Sequence, residues 1–213
     1  MSKRLAKFLS MFGHPVFLPV YGVLAVTQWH FLVAAKLIPE TRWIFVFAYI
    51  LSLTVIPLIG VALMLKKYTL DELSHMSKEE RISASGVLAG VYLFMAFAFR
   101  TLYVAPILQA MVIALGISAL VLAIATRSFR ISFHSFGWAG LTVLFFIIGR
   151  NAVINMSVPI LVSVLLGALV MTSRLVLGAH QHREVYAGYI IGLICNSLVY
   201  LIYFNYGIYL PSL

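Results

Sequence analysis

The chain has 213 residues, 63% of them hydrophobic and only 10% charged, with 15 Lys and Arg against 6 Asp and Glu and a formal net charge of +9 at pH 7. A soluble domain carries about a quarter charged residues, so a water-facing surface cannot be covered with so few. The basic residues are spread along the ends of apolar runs and not gathered in a soluble domain, which excludes nucleic acid as partner and points to anionic membrane lipid.

The apolar runs exceed the roughly 18–20 residues needed to cross a hydrocarbon core of about 30 Å. Backbone polar groups in lipid must bond internally, so runs of this length are helices. The expected fold is an all-α polytopic transmembrane bundle of about six to seven helices. Residues 1–213 form a single domain, because no Ser/Gly-rich linker, low-complexity tract or internal repeat interrupts the runs.

Lys3, Arg4 and Lys7 precede the first run, residues 16–35. That run is too long for a signal peptide and no small-x-small cleavage site follows it, so it reads as a retained anchor. Pro15 and Pro19 disturb its start, and Gln28 and His30 lie deep within it. The second helix is expected over 43–65 and the third over 84–103. A tight turn from Tyr103 leads into the fourth, 106–126, because Pro106 suits a first helical turn where its missing N–H has no partner to lose. The fifth and sixth, 136–154 and 158–172, are short, and the seventh covers 185–206. The single cysteine, Cys195, lies inside an apolar run, where it has no disulfide partner and serves packing. The aromatic stretch 200–209 reads as lipid-facing surface and an interfacial belt.

Counting crossings from the N-terminus, the polar segments 66–83, 127–135 and 173–184 emerge on the side where the chain begins. Together they hold His75, Lys78, Arg81, Arg130, Ser132, His134, Ser173, Arg174, His180, His182 and Glu184, most of the titratable chemistry of the chain. A site at one membrane surface follows. Arginines and serine hydroxyls make a positive, donor-rich cradle for phosphate. Two histidines on separate segments can then act as nucleophile and general acid. His180 and Glu184 are four apart, so on a helix they share a face, and the carboxylate can bind one ring nitrogen and leave the other to attack. The alternative is a metal site, since His180, His182 and Glu184 are all common zinc ligands. On a helix, however, His180 and His182 point to different faces, so no metal and no cofactor is expected. His75 and His182 read as solvated loop residues, Arg183 as an interfacial anchor, and His14 and His30 as interfacial or satisfied by neighbouring helices.

The run Ser173-Arg174-Leu175-Val176-Leu177-Gly178-Ala179-His180-Gln181-His182-Arg183-Glu184 resembles the third motif of the type 2 phosphatidic acid phosphatase (PAP2) superfamily: Ser-Arg, five residues, His, three residues, Asp. Glu184 stands where the family has aspartate. Ile131-Ser132-Phe133-His134 is similar to the second motif, Pro-Ser-Gly-His, without its proline and glycine. Lys78 to Ile82 falls where the first motif, Lys, six residues, Arg-Pro, is expected; Arg81 matches, while Ser74 and Ile82 replace the lysine and the proline. The motifs cover about 81–192, within a PAP2-like core of about 66–208.

The resemblance implies a metal-independent hydrolase of membrane lipid phosphates or polyprenyl diphosphates. It makes His180 the nucleophile that becomes phosphorylated, oriented by Glu184, and His134 the acid that protonates the leaving alcohol. Arg81, Ser132 and Arg174 hold the phosphate, with Lys78 and Ser173 as further phosphate-binding candidates. The other reading is a degenerate relative that binds lipid or a protein partner without turnover. Eleven Lys and Arg fall on the motif side against four opposite, which by the positive-inside rule puts the motif face in the cytoplasm of a bacterial inner membrane.

Overall fold

The computed structural model describes residues 1–29, 39–101, 105–152 and 154–206. The expected helix beyond Trp29 with His30, the turn at Tyr103 and the belt beyond Tyr206 lie outside these residues. Among the described residues all regular structure is helical: α1 Lys3–Phe12, α2 Leu18–Trp29, α3 Pro39–Ile50, α4 Ile56–Leu65, α5 Leu70–Ser74, α6 Lys78–Thr101, α7 Pro106–Ser128, α8 Phe133–Ala152, α9 Ser157–Val176 and α10 His182–Asn205. Seven segments among these residues are long and apolar enough to cross a membrane, the first running Lys3–Gln28 and the last His182–Asn205. The protein is an all-α, integral membrane helix bundle.

The outside of the bundle is apolar as well as its core. Phe47, Phe94, Leu161, Leu165, Ile190 and Ile194 are exposed on its outer faces, an apolar perimeter that only lipid covers without cost. The interior is built from Val23, Val26, Ile107, Val112, Trp138 and Ile148.

Close helix contact depends on residues without side chains. Gly188 and Gly192, one GxxxG step apart on α10, face α8. A Cβ on Gly188 would lie 2.8 Å from the carbonyl oxygen of Ser132, and one on Gly192 2.7 Å from that of Phe136. Such close approach replaces the hydrophobic drive that lipid cannot supply. It also lays the first turn of α10 against the segment before α8, where the Ser132 N–H donates to the Glu184 carbonyl at 3.2 Å.

Two local departures shape the site. A π-helical turn, Leu51–Val55, joins α3 to α4 just before Pro57. Pro57 has no N–H for the Leu53 carbonyl, and the buried Tyr92 hydroxyl of α6 donates to that oxygen instead, at 2.9 Å. The second is the break at Gly13 and His14. The apolar run does not begin a helix at residue 16: α1 ends at Phe12, a 3-10 turn spans Pro15–Phe17, and α2 starts at Leu18. Pro15 removes one donor and holds its φ, which starts a new helix and stops the old one.

Candidate active site

Each cationic or basic group of the site stands where a helix starts or ends. Arg174 lies in the last turn of α9, and the chain then reverses in a Schellman turn, with the Ala179 N–H donating to the Arg174 carbonyl and the Gly178 N–H to that of Leu175, both at 3.0 Å. Gly178 sits at φ +65°, a left-handed conformation that a side chain disfavours. The turn delivers His180 just ahead of α10.

Glu184 is the third residue of that helix, and its Oε2 accepts from the Gln181 N–H at 3.1 Å and from His180 Nδ1 at 2.7 Å. The spacing of four therefore works differently from a shared helical face. His180 precedes the helix, and the carboxylate reaches back over the N-terminus, where a negative charge is favoured. Because a carboxylate accepts only, Nδ1 carries the ring proton and Nε2 keeps its lone pair. Burial, reinforced by the charges of Arg81 and Arg174, pulls the His180 imidazole below the ordinary histidine range, against the Glu184 hydrogen bond that raises it. The ring is neutral and nucleophilic at neutral pH.

Arg81, on the first turn of α6, is 3% exposed and Arg174 is 4% exposed. Neither pairs with a carboxylate among the described residues. Arg81 Nη2 donates to the Ile131 carbonyl at 2.5 Å, and Arg174 Nη1 to Ser10 Oγ at 2.8 Å, while the buried Nε of each has no described partner. A buried guanidinium without a directly paired carboxylate is costly, even with the Glu184 charge acting on Arg81 from further off, and two in one place define a site that an anion completes. Phe133 lies under the Arg81 guanidinium, 4.3 Å from its centre, so the residue in the place of the motif glycine holds the arginine by cation–π contact.

His134, in the first turn of α8, donates from Nε2 to the Ser10 carbonyl at 3.2 Å, which leaves Nδ1 as the position where a proton moves. Arg81, His134, Arg174 and His180 line one cavity of about 120 Å³. Arg174 also borders a wider vestibule of about 480 Å³, lined by Lys7, Asp71, His75 and Arg130. On the opposite side Pro15, Leu88, Tyr92 and Phe133 are shared with an apolar cavity of about 140 Å³ deeper in the bundle. The site thus has a polar approach and an apolar one.

Compared with family models, curated proteins and solved structures, the chain matches none.

The remaining candidates fall outside the cavity. Ser132 caps α8, its Oγ accepting from the Ser135 N–H at 3.4 Å. The Ser173 hydroxyl donates to the Val170 carbonyl of its own helix at 2.6 Å. Lys78 is exposed at the start of α6. His182 is exposed and stacked on Tyr186, and no group of three or more His, Cys, Asp or Glu among the described residues is placed to hold a metal ion. His14 also lines the cavity, buried and edge-on to His134 with ring centroids 5.1 Å apart. Sequence reading placed it at the interface or against a neighbouring helix. Pro15 and Pro19 signalled a disturbed helix start, but a histidine beside such a start carries no spacing signal toward residues over a hundred positions away.

Proposed function

We propose that this chain is a membrane-bound lipid phosphate phosphatase, a divergent member of the PAP2 superfamily that hydrolyses a phosphomonoester or diphosphate of a membrane lipid through a phosphohistidine. The observation that carries the reading is the pair of buried guanidiniums, Arg81 and Arg174, without carboxylate partners beside an imidazole held by Glu184. The arginines hold the phosphate, the apolar cavity takes the hydrocarbon chain, and water enters through the vestibule.

His180 Nε2 attacks phosphorus and the bond to the lipid oxygen breaks. For this step His134 enters as the imidazolium, with Nε2–H kept on the Ser10 carbonyl; its Nδ1–H protonates the departing alkoxide, and Nδ1 then takes a proton from the water that cleaves the phosphorus–nitrogen bond, releasing phosphate and restoring the imidazolium. On the charge bias we place the site at the cytoplasmic face of a bacterial inner membrane.

The test is phosphate release by the purified chain in detergent from phosphatidate, phosphatidylglycerophosphate and a polyprenyl diphosphate. His180→Ala abolishes both release and an acid-labile phosphoenzyme, whereas His182→Ala leaves both near wild type. No release and no phosphoenzyme with any substrate overturns the hydrolase. A second reading, binding without turnover, is favoured by Ser74 in the place of the motif lysine and Phe133 in that of the glycine; lipid phosphate binding that Arg174→Ala removes, with no release, selects it.

A further inference from the structure

Among the described residues, His14 is the one group lining the cavity with a free ring nitrogen that no motif assigns. It opens the 3-10 turn at the break between α1 and α2, and its Nδ1 accepts from the Val16 N–H at 3.3 Å. An acceptor nitrogen has no proton, so the neutral ring carries its proton on Nε2. Among the described residues no hydrogen bond engages that Nε2. The cap also holds the ring in one protonation state, because an imidazolium would set an N–H against the Val16 N–H. His14 is therefore a neutral donor with a fixed tautomer, facing a cavity that holds two guanidiniums and two other imidazoles.

Its neighbour Ser10, one turn earlier, holds two of those groups: its Oγ accepts from Arg174 and its carbonyl from His134. The segment is itself anchored, since Trp138 Nε1 donates to the Gly13 carbonyl at 3.1 Å. A Cβ on Gly13 would run into the Val170 side chain. The N-terminal segment is thus built into the site.

We propose that the N-terminal break supplies a fourth part of the anion site, in which His14 Nε2–H donates to a non-bridging phosphoryl oxygen and Ser10 positions Arg174 and His134. This rests on the anion-site reading above. A neutral donor adds a third hydrogen bond to the phosphoryl group without a third cation beside two buried guanidiniums, and it strengthens as charge builds on those oxygens in the transition state.

Two substitutions separate this role from capping. Asparagine keeps an acceptor near the position of Nδ1 and is a favoured N-cap, but it does not reach Nε2; glutamine places an amide N–H near Nε2 and loses the cap. In the full chain in detergent, His14→Asn lowers kcat/KM by about a hundredfold and weakens binding of orthovanadate, read by calorimetry, by about tenfold, with little change in thermal midpoint. His14→Gln stays within about tenfold of wild type in both while its midpoint falls. The reverse pattern, Asn active and Gln impaired, overturns the proposal and leaves His14 a cap.

The arms also separate this proposal from the function it rests on. Wild-type protein that binds vanadate but releases no phosphate from any lipid sinks the hydrolase, and the binding arm still decides His14. Wild-type protein that binds neither vanadate nor inorganic phosphate sinks the anion site and this proposal together.

Discussion

Glu184 holds two donors on one carboxylate oxygen, the His180 ring and the Gln181 backbone N–H. Removing its charge while keeping its shape tests what that oxygen does. Glu184→Gln is expected to lower turnover by about a hundredfold, by analogy with other carboxylates that orient a catalytic imidazole, with little change in substrate binding. The same variant has a signed effect on pH. Because Glu184 raises the His180 pKa while burial and the two arginines lower it, the acid limb of turnover set by His180 lies below the ordinary histidine value. Loss of the carboxylate moves that acid limb to still lower pH. An acid limb that moves upward, or no change in rate, removes Glu184 from the mechanism. Glu184→Asp loses activity too, because the shorter side chain cannot reach both donors from the third position of α10. The pairing of these residues was legible in their spacing. Its geometry was not, since four residues apart can mean one helical face or a carboxylate folded back over a helix start, and only the position of the start decides.

At the level of elements, the two motif segments meet because α10 approaches α8 through glycine. Gly188→Ala puts a methyl group 2.8 Å from the Ser132 carbonyl oxygen and 3.3 Å from Ser135 Cβ. The nearest atom is backbone and cannot turn away. The expected cost is about 1–3 kcal/mol of overpacking, read as a lower thermal midpoint in detergent together with reduced phosphate release. Gly86→Ala, on the first half of α6 with nothing within 4 Å of the added atom, should be neutral or stabilising by up to about 1 kcal/mol. Equal losses from both variants would mean that the α8–α10 contact does not set the site. The apolar runs showed where α7 and α10 lie within a few residues, but α6 starts at Lys78, six residues before the expected 84, because its first turn, with Arg81, is polar. They missed α1, because a search for spans of about 18 residues passes over a ten-residue amphipathic helix whose exposed Leu5, Phe8 and Phe12 alternate with Lys3, Arg4 and Lys7.

For the whole molecule, contacts tie the N-terminus to the motif face, Ser10 to Arg174 and His134 and Lys7 to Asp71 at 3.5 Å, while Arg81 and Ile131 join two segments of that face to each other. Arg100 stands at the far end of α6, about 33 Å from Lys78 along the helix axis. In a Cys195→Ser background, cysteines placed singly at Lys3, Lys78 and Arg183 should react with a membrane-impermeant maleimide from one side of oriented vesicles, and one at Arg100 from the other. Labelling of Arg100 and Lys3 from the same side would break the topology and the charge-bias argument with it. The lone native cysteine makes the experiment simple.

Composition and run length by themselves determined that the chain is an all-α bundle in lipid, because the cost of an unpaired backbone group in hydrocarbon leaves a long apolar segment no other form. Sequence spacing also brought out Arg174, His180 and Glu184, which lie within eleven residues and are joined by a single turn. The tertiary structure alone decided that Ser132, Ser173 and Lys78 stand outside the cavity, that Phe133 cradles Arg81, and that Ser10 and His14 enter from the other end of the chain. These are contacts between segments far apart in sequence. Side-chain hydroxyls near helix ends have backbone partners within a turn, and which partner a serine takes, or which histidine a helix break turns inward, depends on how closely neighbouring helices pack.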